Sequence, residues 1–188
     1  MDDGIAKELE ALGKQINELR KKAVELKQKW GACEVADYEL QGPEGAVKLS
    51  EAFGEHELMV LVHNMGRQCP YCTLWADGFK SLYEYIEKGV PGGNTKAAFL
   101  VVSPDTPEVQ QEYAGSRGWR FRMLSARDTS LFKDLGYADD QGHPWPGVSI
   151  LKKEGGKLKR VARDFFGPGD DYNSVFSFFR LMPGSPMS

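Results

Sequence analysis

Two uninterrupted apolar runs, Leu58–Val62 and Ala97–Val102, constrain this chain more than any other feature. A strand with one wet face alternates apolar and polar residues. A run with no alternation, bounded by polar segments, suits a central strand buried on both faces. Burying both faces requires helices above and below the sheet, and the surrounding sequence supplies helical patterns. A helix expected to begin near Cys69 or Pro70 and to end before Gly89 carries Trp75, Phe79, Leu82 and Ile86 on one face. Thr106-Pro107 reads as an N-cap followed by a first-turn proline, opening a helix to about Ala114. A strand is expected over Trp119–Leu124, and Asp128 is placed to cap a short helix closed by Gly136. Glu154-Gly155-Gly156 then joins two strands, Val148–Lys153 and Lys157–Phe165, in a hairpin, and Asp170 or Asp171 opens a last helix. The expected fold class is therefore α/β, with a mixed central sheet flanked by helices. A strand over Val35–Leu40, a turn at Gly42–Gly45, a strand over Ala46–Leu49 and a brief helix capped by Ser50 and ended by Gly54 precede the first central strand.

Ahead of this domain lies a different pattern. Ile5, Leu9, Leu12, Ile16, Leu19, Ala23, Leu26 and Trp30 follow one another at spacings of four and three, among Lys, Glu and Arg. This is one helical stripe, interrupted only by Gly13 and ended by Gly31. The leading expectation is a helix lying against its own domain. A helix pair across a homodimer is the alternative, since the heptad-like pattern lasts nearly four repeats, and a loosely attached arm is the third. The expected division is an N-terminal amphipathic helix over 1–31, a domain over 32–182 and a flexible tail over 183–188.

The 188 residues are 41% hydrophobic and 27% charged with a formal net charge of −3, which gives no reason to expect nucleic-acid binding. The N-terminus has neither a basic nor an apolar signal region, and no run is long enough to span a membrane, so a cytoplasmic location is expected. Three cysteines are too few for a disulfide framework. The spacing Cys69-Pro70-Tyr71-Cys72, directly after a strand and at the start of a helix, points to thiol chemistry. First-turn N–H groups and the helix dipole favour a sulfur anion at Cys69, and Cys72 lies three residues on, placed to resolve a mixed disulfide. A purely structural pair and a metal site are the alternatives, the latter disfavoured because structural zinc takes four ligands and no second pair exists. Arg67 is a candidate for adding positive charge. His63 and Asp77 are candidates for proton handling, although a hydrogen-bonded strand-end role is preferred for His63 and a solvated or structural one for Asp77. Trp75 is read as core that could shield the thiols. Cys33 has no such setting. Pro146, in the Tyr137–Gly147 loop with His143 and Trp145, is placed to adjoin the thiols if the following strand is central.

The run His63-Asn64-Met65-Gly66-Arg67-Gln68-Cys69-Pro70-Tyr71-Cys72-Thr73-Leu74-Trp75-Ala76-Asp77-Gly78-Phe79, with Arg127-Asp128-Thr129 and the Gly147–Phe166 hairpin, resembles the thioredoxin-like superfamily. More closely it is similar to a branch related to the alkyl hydroperoxide reductase and thiol-specific antioxidant proteins. The resemblance covers roughly 35–182. It implies a redox-active Cys69 resolved by Cys72, with no cofactor and no metal. Its implied partners are a protein or small-molecule disulfide and a thiol reductant. It also implies a cis-proline facing the pair, for which Pro146 is the nearest match, and a peroxide-activating arginine, for which Arg127 and Arg163 are candidates. Peroxidases of this kind carry Pro and Thr seven and three residues before the reactive cysteine, where this chain has Val62 and Gly66. That departure leads to the expectation of a thiol–disulfide oxidoreductase. A thiol-dependent peroxidase, with Cys69 passing through sulfenic acid, and a non-catalytic binding module are the alternatives.

Overall fold

The computed structural model describes residues 3–185. The expected tail over 183–188 lies partly outside them. Helix α1 (Asp3–Gly31) leads into β1 (Cys33–Val35), β2 (Glu39–Gly42) and β3 (Gly45–Lys48), and then a single 3₁₀ turn over Glu51–Phe53. The α/β core follows as β4 (Leu58–His63), α2 (Pro70–Lys88), β5 (Ala98–Ser103), α3 (Pro107–Arg117), β6 (Arg122–Ser125) and α4 (Leu131–Asp134). The chain finishes with β7 (Gly147–Glu154), β8 (Lys157–Phe165) and α5 (Val175–Leu181). The strands form one mixed sheet in the order β1-β8-β7-β4-β5-β6-β2-β3. Within it β4, β5 and β6 are parallel and every other pairing is antiparallel. This is the thioredoxin-like α/β fold with a long N-terminal helix.

The two apolar runs occupy the middle of the sheet. Period-two alternation sends their residues to two separate cores. Met59, Leu61, Ala98, Leu100 and Val102 join Leu40, Phe53, Leu131 and Tyr137 on one face. Val62, Phe99 and Val101 join Cys72, Trp75, Phe79 and Phe121 on the other, beneath α2. His63, next to Val62 on β4, therefore belongs to the first face, and its ring stacks on Tyr137 with centroids 3.8 Å apart.

Several local expectations shift. The strand expected over Val35–Leu40 is two strands, because β1 pairs with β8 while β2 pairs with β3 and β6 at the other end of the sheet. Trp119 and Phe121 precede β6 rather than belonging to it; their rings stack on one another and pack into the α2 face. The residue before α4 is Ser130, not Asp128, and α5 begins after Ser174 rather than at Asp170 or Asp171. Asp170 is instead bound up in its own turn, accepting the N–H groups of Gly167 and Tyr172.

The largest correction concerns α1. Its stripe does not lie against its own domain: Ile5, Leu9, Leu12, Ile16, Leu19, Leu26 and Trp30 are each between 46% and 64% exposed. Trp30, the last of them, touches the domain along one side of its ring, against Phe165 and Arg163, and the helix is otherwise held near its C-terminal end by a different face. Lys27 pairs with Asp164, Arg20 with Asp171, and Gly31 comes so close to the β8 backbone that a Cβ there would collide with Ala162 and Arg163. Among the described residues, no helix is long and apolar enough to cross a membrane.

Candidate active site

The loop after β4 and the first turn of α2 form the site, and Met65, Gly66, Arg67, Cys69 and Cys72 are each placed by a hydrogen bond. Asn64 is buried, and its Oδ1 accepts the Gly66 N–H at 2.7 Å, an Asx-type turn that folds the loop back. Gly66 has φ of +100°, and a Cβ there would stand 2.9 Å from the Asp105 carboxylate, so glycine is required twice over. Asp105 accepts the Arg67 N–H at 2.8 Å and is itself supported by Ser103, which locks the loop to the end of β5. Pro70 is the first residue of α2, where its lack of an N–H loses nothing.

Cys69 is the N-cap of α2. Its Sγ accepts the Cys72 N–H at 3.2 Å, the position a serine or aspartate oxygen usually fills. The sulfur is thus held by one of the helix's own first-turn donors, at the positive end of the helix dipole. Cys69 is half-buried and Cys72 buried, and both are free thiols. Cys72 Sγ accepts the Met65 N–H at 3.4 Å. Burial, followed by the neighbouring Cys69, pushes the Cys72 thiol far above its ordinary range, so it stays protonated while Cys69 faces the loop mouth. A half-buried thiol at a helix mouth and a second held neutral behind it are the parts of a nucleophile and a resolving group.

The supporting residues separate into those near the thiols and those elsewhere. Trp75 is buried in the same core as the cysteines, between Tyr71 and Phe166, with Nε1 donating to Asp170 at 3.3 Å. Arg67 lies in the loop, but its guanidinium reaches Glu112 at 3.4 Å. Asp77 is bound to Arg117 and accepts the Trp119 Nε1 at 2.9 Å. Partial burial opposes its ionisation, but these donors outweigh it and hold the carboxyl below its usual range, which makes it an anchor for α3 rather than a proton acceptor. Arg127 is exposed at the end of β6, with its N–H on Ser125. Every described peptide bond is trans, so Pro146 does not supply a cis-proline; its carbonyl accepts the Phe166 N–H.

His63 and Arg163 lie across the sheet from the thiols. His63 Nε2 is 3.0 Å from Ser149 Oγ; Ser149 donates to Tyr137, and Tyr137 donates to the Val148 carbonyl. The direction of that chain makes Nε2 the protonated nitrogen and leaves buried Nδ1 without a partner. Burial first, then Arg160 and Arg163, drives the His63 pKa well below 6.5, so the ring is neutral. Arg163 stacks over Trp30, Tyr137 and Phe165 and donates to the Gly136 carbonyl. Sequence reading missed the roles of Asn64 and Asp105, although Asn and Ser-x-Asp after strands are turn signals, and it missed the Ser149–Tyr137 network altogether.

Solved structures share the fold at low identity. Peroxidoxin BcpB from Mycobacterium tuberculosis superposes with a TM-score of 0.60 at 18% identity, over 82% of this chain and 98% of that one. Peroxiredoxin Q from Xanthomonas campestris gives 0.58 at 19%, over 76% and 89%. Reduced Prx3 from Vibrio vulnificus, in complex with hydrogen peroxide, gives 0.56 at 18%, over 79% and 94%. No match is found among curated proteins. The family model that matches is that of the AhpC/TSA family. Together these findings correct the expectation of a thiol–disulfide oxidoreductase, which rested on the cysteine spacing and on Val62 and Gly66 departing from the peroxidase pattern. A departure at two positions does not remove a chain from a family whose signature extends from β1 into β8. On that match, over residues 32–160, the chain belongs to the AhpC/TSA family.

Proposed function

We propose that this protein is a thiol-dependent peroxidase in which Cys69 is the peroxidatic and Cys72 the resolving residue. The observation that carries the reading is Cys69 Sγ at the mouth of α2, accepting the Cys72 N–H, with the Cys72 thiol buried behind it. In the first step the Cys69 thiolate attacks one peroxide oxygen. A sulfur–oxygen bond forms, the oxygen–oxygen bond breaks, and the departing hydroxide or alkoxide takes up a proton. The product is a sulfenic acid. The Cys72 thiol then attacks the Cys69 sulfur, water leaves, and a disulfide joins the two. An external dithiol or two monothiols return both cysteines to the reduced state, so the implied partner is a thiol reductant.

Gly66 carries no hydroxyl where other peroxidases offer threonine. Activation at Cys69 therefore rests on the backbone donors of the α2 mouth. The C-x-x-C spacing also places the resolving residue within the same helical turn, so the disulfide closes without unwinding α2 beyond that turn.

The test is peroxide consumption supported by dithiothreitol, with sulfenate trapping by dimedone read by mass spectrometry. The wild type is expected to turn over, and Cys72→Ser to accumulate one dimedone adduct at Cys69. A wild type that leaves hydrogen peroxide and an alkyl hydroperoxide untouched, with no adduct in Cys72→Ser, sinks the proposal.

A further inference from the structure

The exposed stripe of α1 is an unusual surface. The helix lies entirely outside the residues matched by the family, and at 1.5 Å per residue it is about 43 Å long. Its domain-facing side carries Arg20, Lys27 and Gly31. At 100° per residue, the stripe is centred roughly a quarter-turn away from that side. The domain thus holds the helix while leaving the seam from Ile5 to Leu26 open, and Trp30, which leans on Phe165 and Arg163, still keeps more than half of its surface exposed.

We propose that this seam is filled by α1 of a second copy, running antiparallel about a two-fold axis between Asn17 and Glu18. The register follows from the positions. In an antiparallel pair, residues whose numbers add to 35 face one another, which places Ile5 opposite Trp30, Leu9 opposite Leu26, Leu12 opposite Ala23 and Ile16 opposite Leu19. All eight apolar positions find partners and none is left over. With each large side chain about half exposed in the single chain, the seam buries on the order of 1,000 Å² over two copies, the lower bound for a specific interface.

Charge selects the direction. The outer flank of the seam carries Glu8, Gln15, Lys22 and Lys29 at heptad intervals. Antiparallel pairing sets Glu8 against Lys29 and Gln15 against Lys22, so no like charges meet. Parallel pairing would set Lys22 against Lys27 on both sides of the seam. The opposite flank is occupied by each copy's own domain through Arg20–Asp171 and Lys27–Asp164. There the partner contributes Ala6 and Gly13, which are small enough to pass these pairs. Antiparallel helices also oppose their dipoles. The two domains then lie at opposite ends of the pair, each thiol site free of the interface.

Sedimentation velocity of the full chain tests this at micromolar concentration. The expected species has roughly twice the 21.0 kDa chain mass. Ile16→Glu with Leu19→Glu, on residues exposed in the single chain, should give a folded monomer with an unchanged circular dichroism spectrum. Lys29→Glu should weaken the dimer about tenfold, and Glu8→Lys combined with Lys29→Glu should restore it. A wild-type monomer at tens of micromolar, a trimer or tetramer, or a dimer indifferent to the double glutamate variant overturns the proposal. So does a dimer tightened by Lys22→Glu and indifferent to Lys29→Glu, the signature of parallel helices.

Discussion

Val62 and His63 are neighbours on one strand, yet they belong to two different chemistries. Val62 points into the core that holds Cys72 and Trp75, while His63 points into the one that holds Tyr137 and Leu61. On the His63 side a histidine, a tyrosine, a serine and two arginines all meet. That side is also sealed. His63, Ser149, Arg160 and Arg163 are all buried, and their polar atoms answer mainly to one another and to backbone carbonyls. On the thiol side Cys69 stands half-buried at a helix mouth. On the proposed function, reactivity tracks access and a backbone donor rather than the density of polar side chains. The histidine side is a structural network that fixes β7 and β8 against β4.

The sharpest way to break this comparison is to remove each side's central residue. Cys69→Ser should lower peroxide turnover by more than about a thousandfold, since the hydroxyl that replaces the thiol is a far poorer nucleophile at neutral pH. Its fold should be intact, because a serine oxygen caps α2 at least as well as sulfur does. Residual turnover near the wild-type rate would shift the chemistry to another residue.

His63→Ala should do the reverse. It leaves a cavity between Phe132 and Tyr137 and removes the donor to Ser149, a loss of about 2–4 kcal/mol in denaturant unfolding. Turnover per folded molecule should change little. A pH series adds a signed test. The folded ring stays neutral well below 6.5 while the unfolded one protonates near that value, so the unfolded state binds the extra proton. Stability should fall as pH drops below about 6.5, by up to about 1.4 kcal/mol per pH unit, and this component should vanish in the variant. A wild type equally stable at pH 5 and 7 would contradict the buried neutral ring.

How much of this contrast the sequence carried depends on range. The β4 run, the N-terminal proline of α2 and the glycine that stops it were legible because each is a local rule acting within a few residues. The parity that separates Val62 from His63 was legible in principle, but its meaning was not. His63 meets Tyr137 and Ser149 from 74 and 86 positions away, through the antiparallel pairing of β4 with β7. Arg163 was read as a candidate for peroxide activation because nothing local shows that β8 turns it away from the thiols. Similarly, the periodicity of α1 fixed the stripe but not what would cover it; the domain attaches through charged residues that the apolar pattern ignores. Asn64 and Asp105 were unread because a buried turn looks like any polar loop until its two ends are brought together.

Arg163→Lys sharpens the comparison further. The lysine keeps the charge but loses the donation to Gly136 and the planar stacking on Trp30, Tyr137 and Phe165, which should lower stability by about 1–2 kcal/mol. The rate of Cys69 oxidation in stopped-flow should be unchanged. A tenfold slower oxidation in a folded variant would bring this arginine back to the thiol side and undo the separation of the two faces.

The smallest effect is expected where the thiol side is itself structural. Trp75→Phe removes one hydrogen bond to Asp170, but that carboxylate keeps the Gly167 and Tyr172 N–H groups, so no buried acceptor is stranded. The smaller ring still packs against Phe166, and the loss should be about 1 kcal/mol. Because Trp75 shares the core that buries Cys72 without bonding to either sulfur, turnover should change less than about threefold. The resolving step is the more sensitive readout, since it depends on Cys72 remaining dry and aimed at Cys69. If disulfide closure slows in Trp75→Phe while sulfenate formation keeps its rate, the indole is a positioning residue for Cys72. If both steps keep their rates, the ring is packing alone, and access at the α2 mouth is sufficient to account for what separates the two faces.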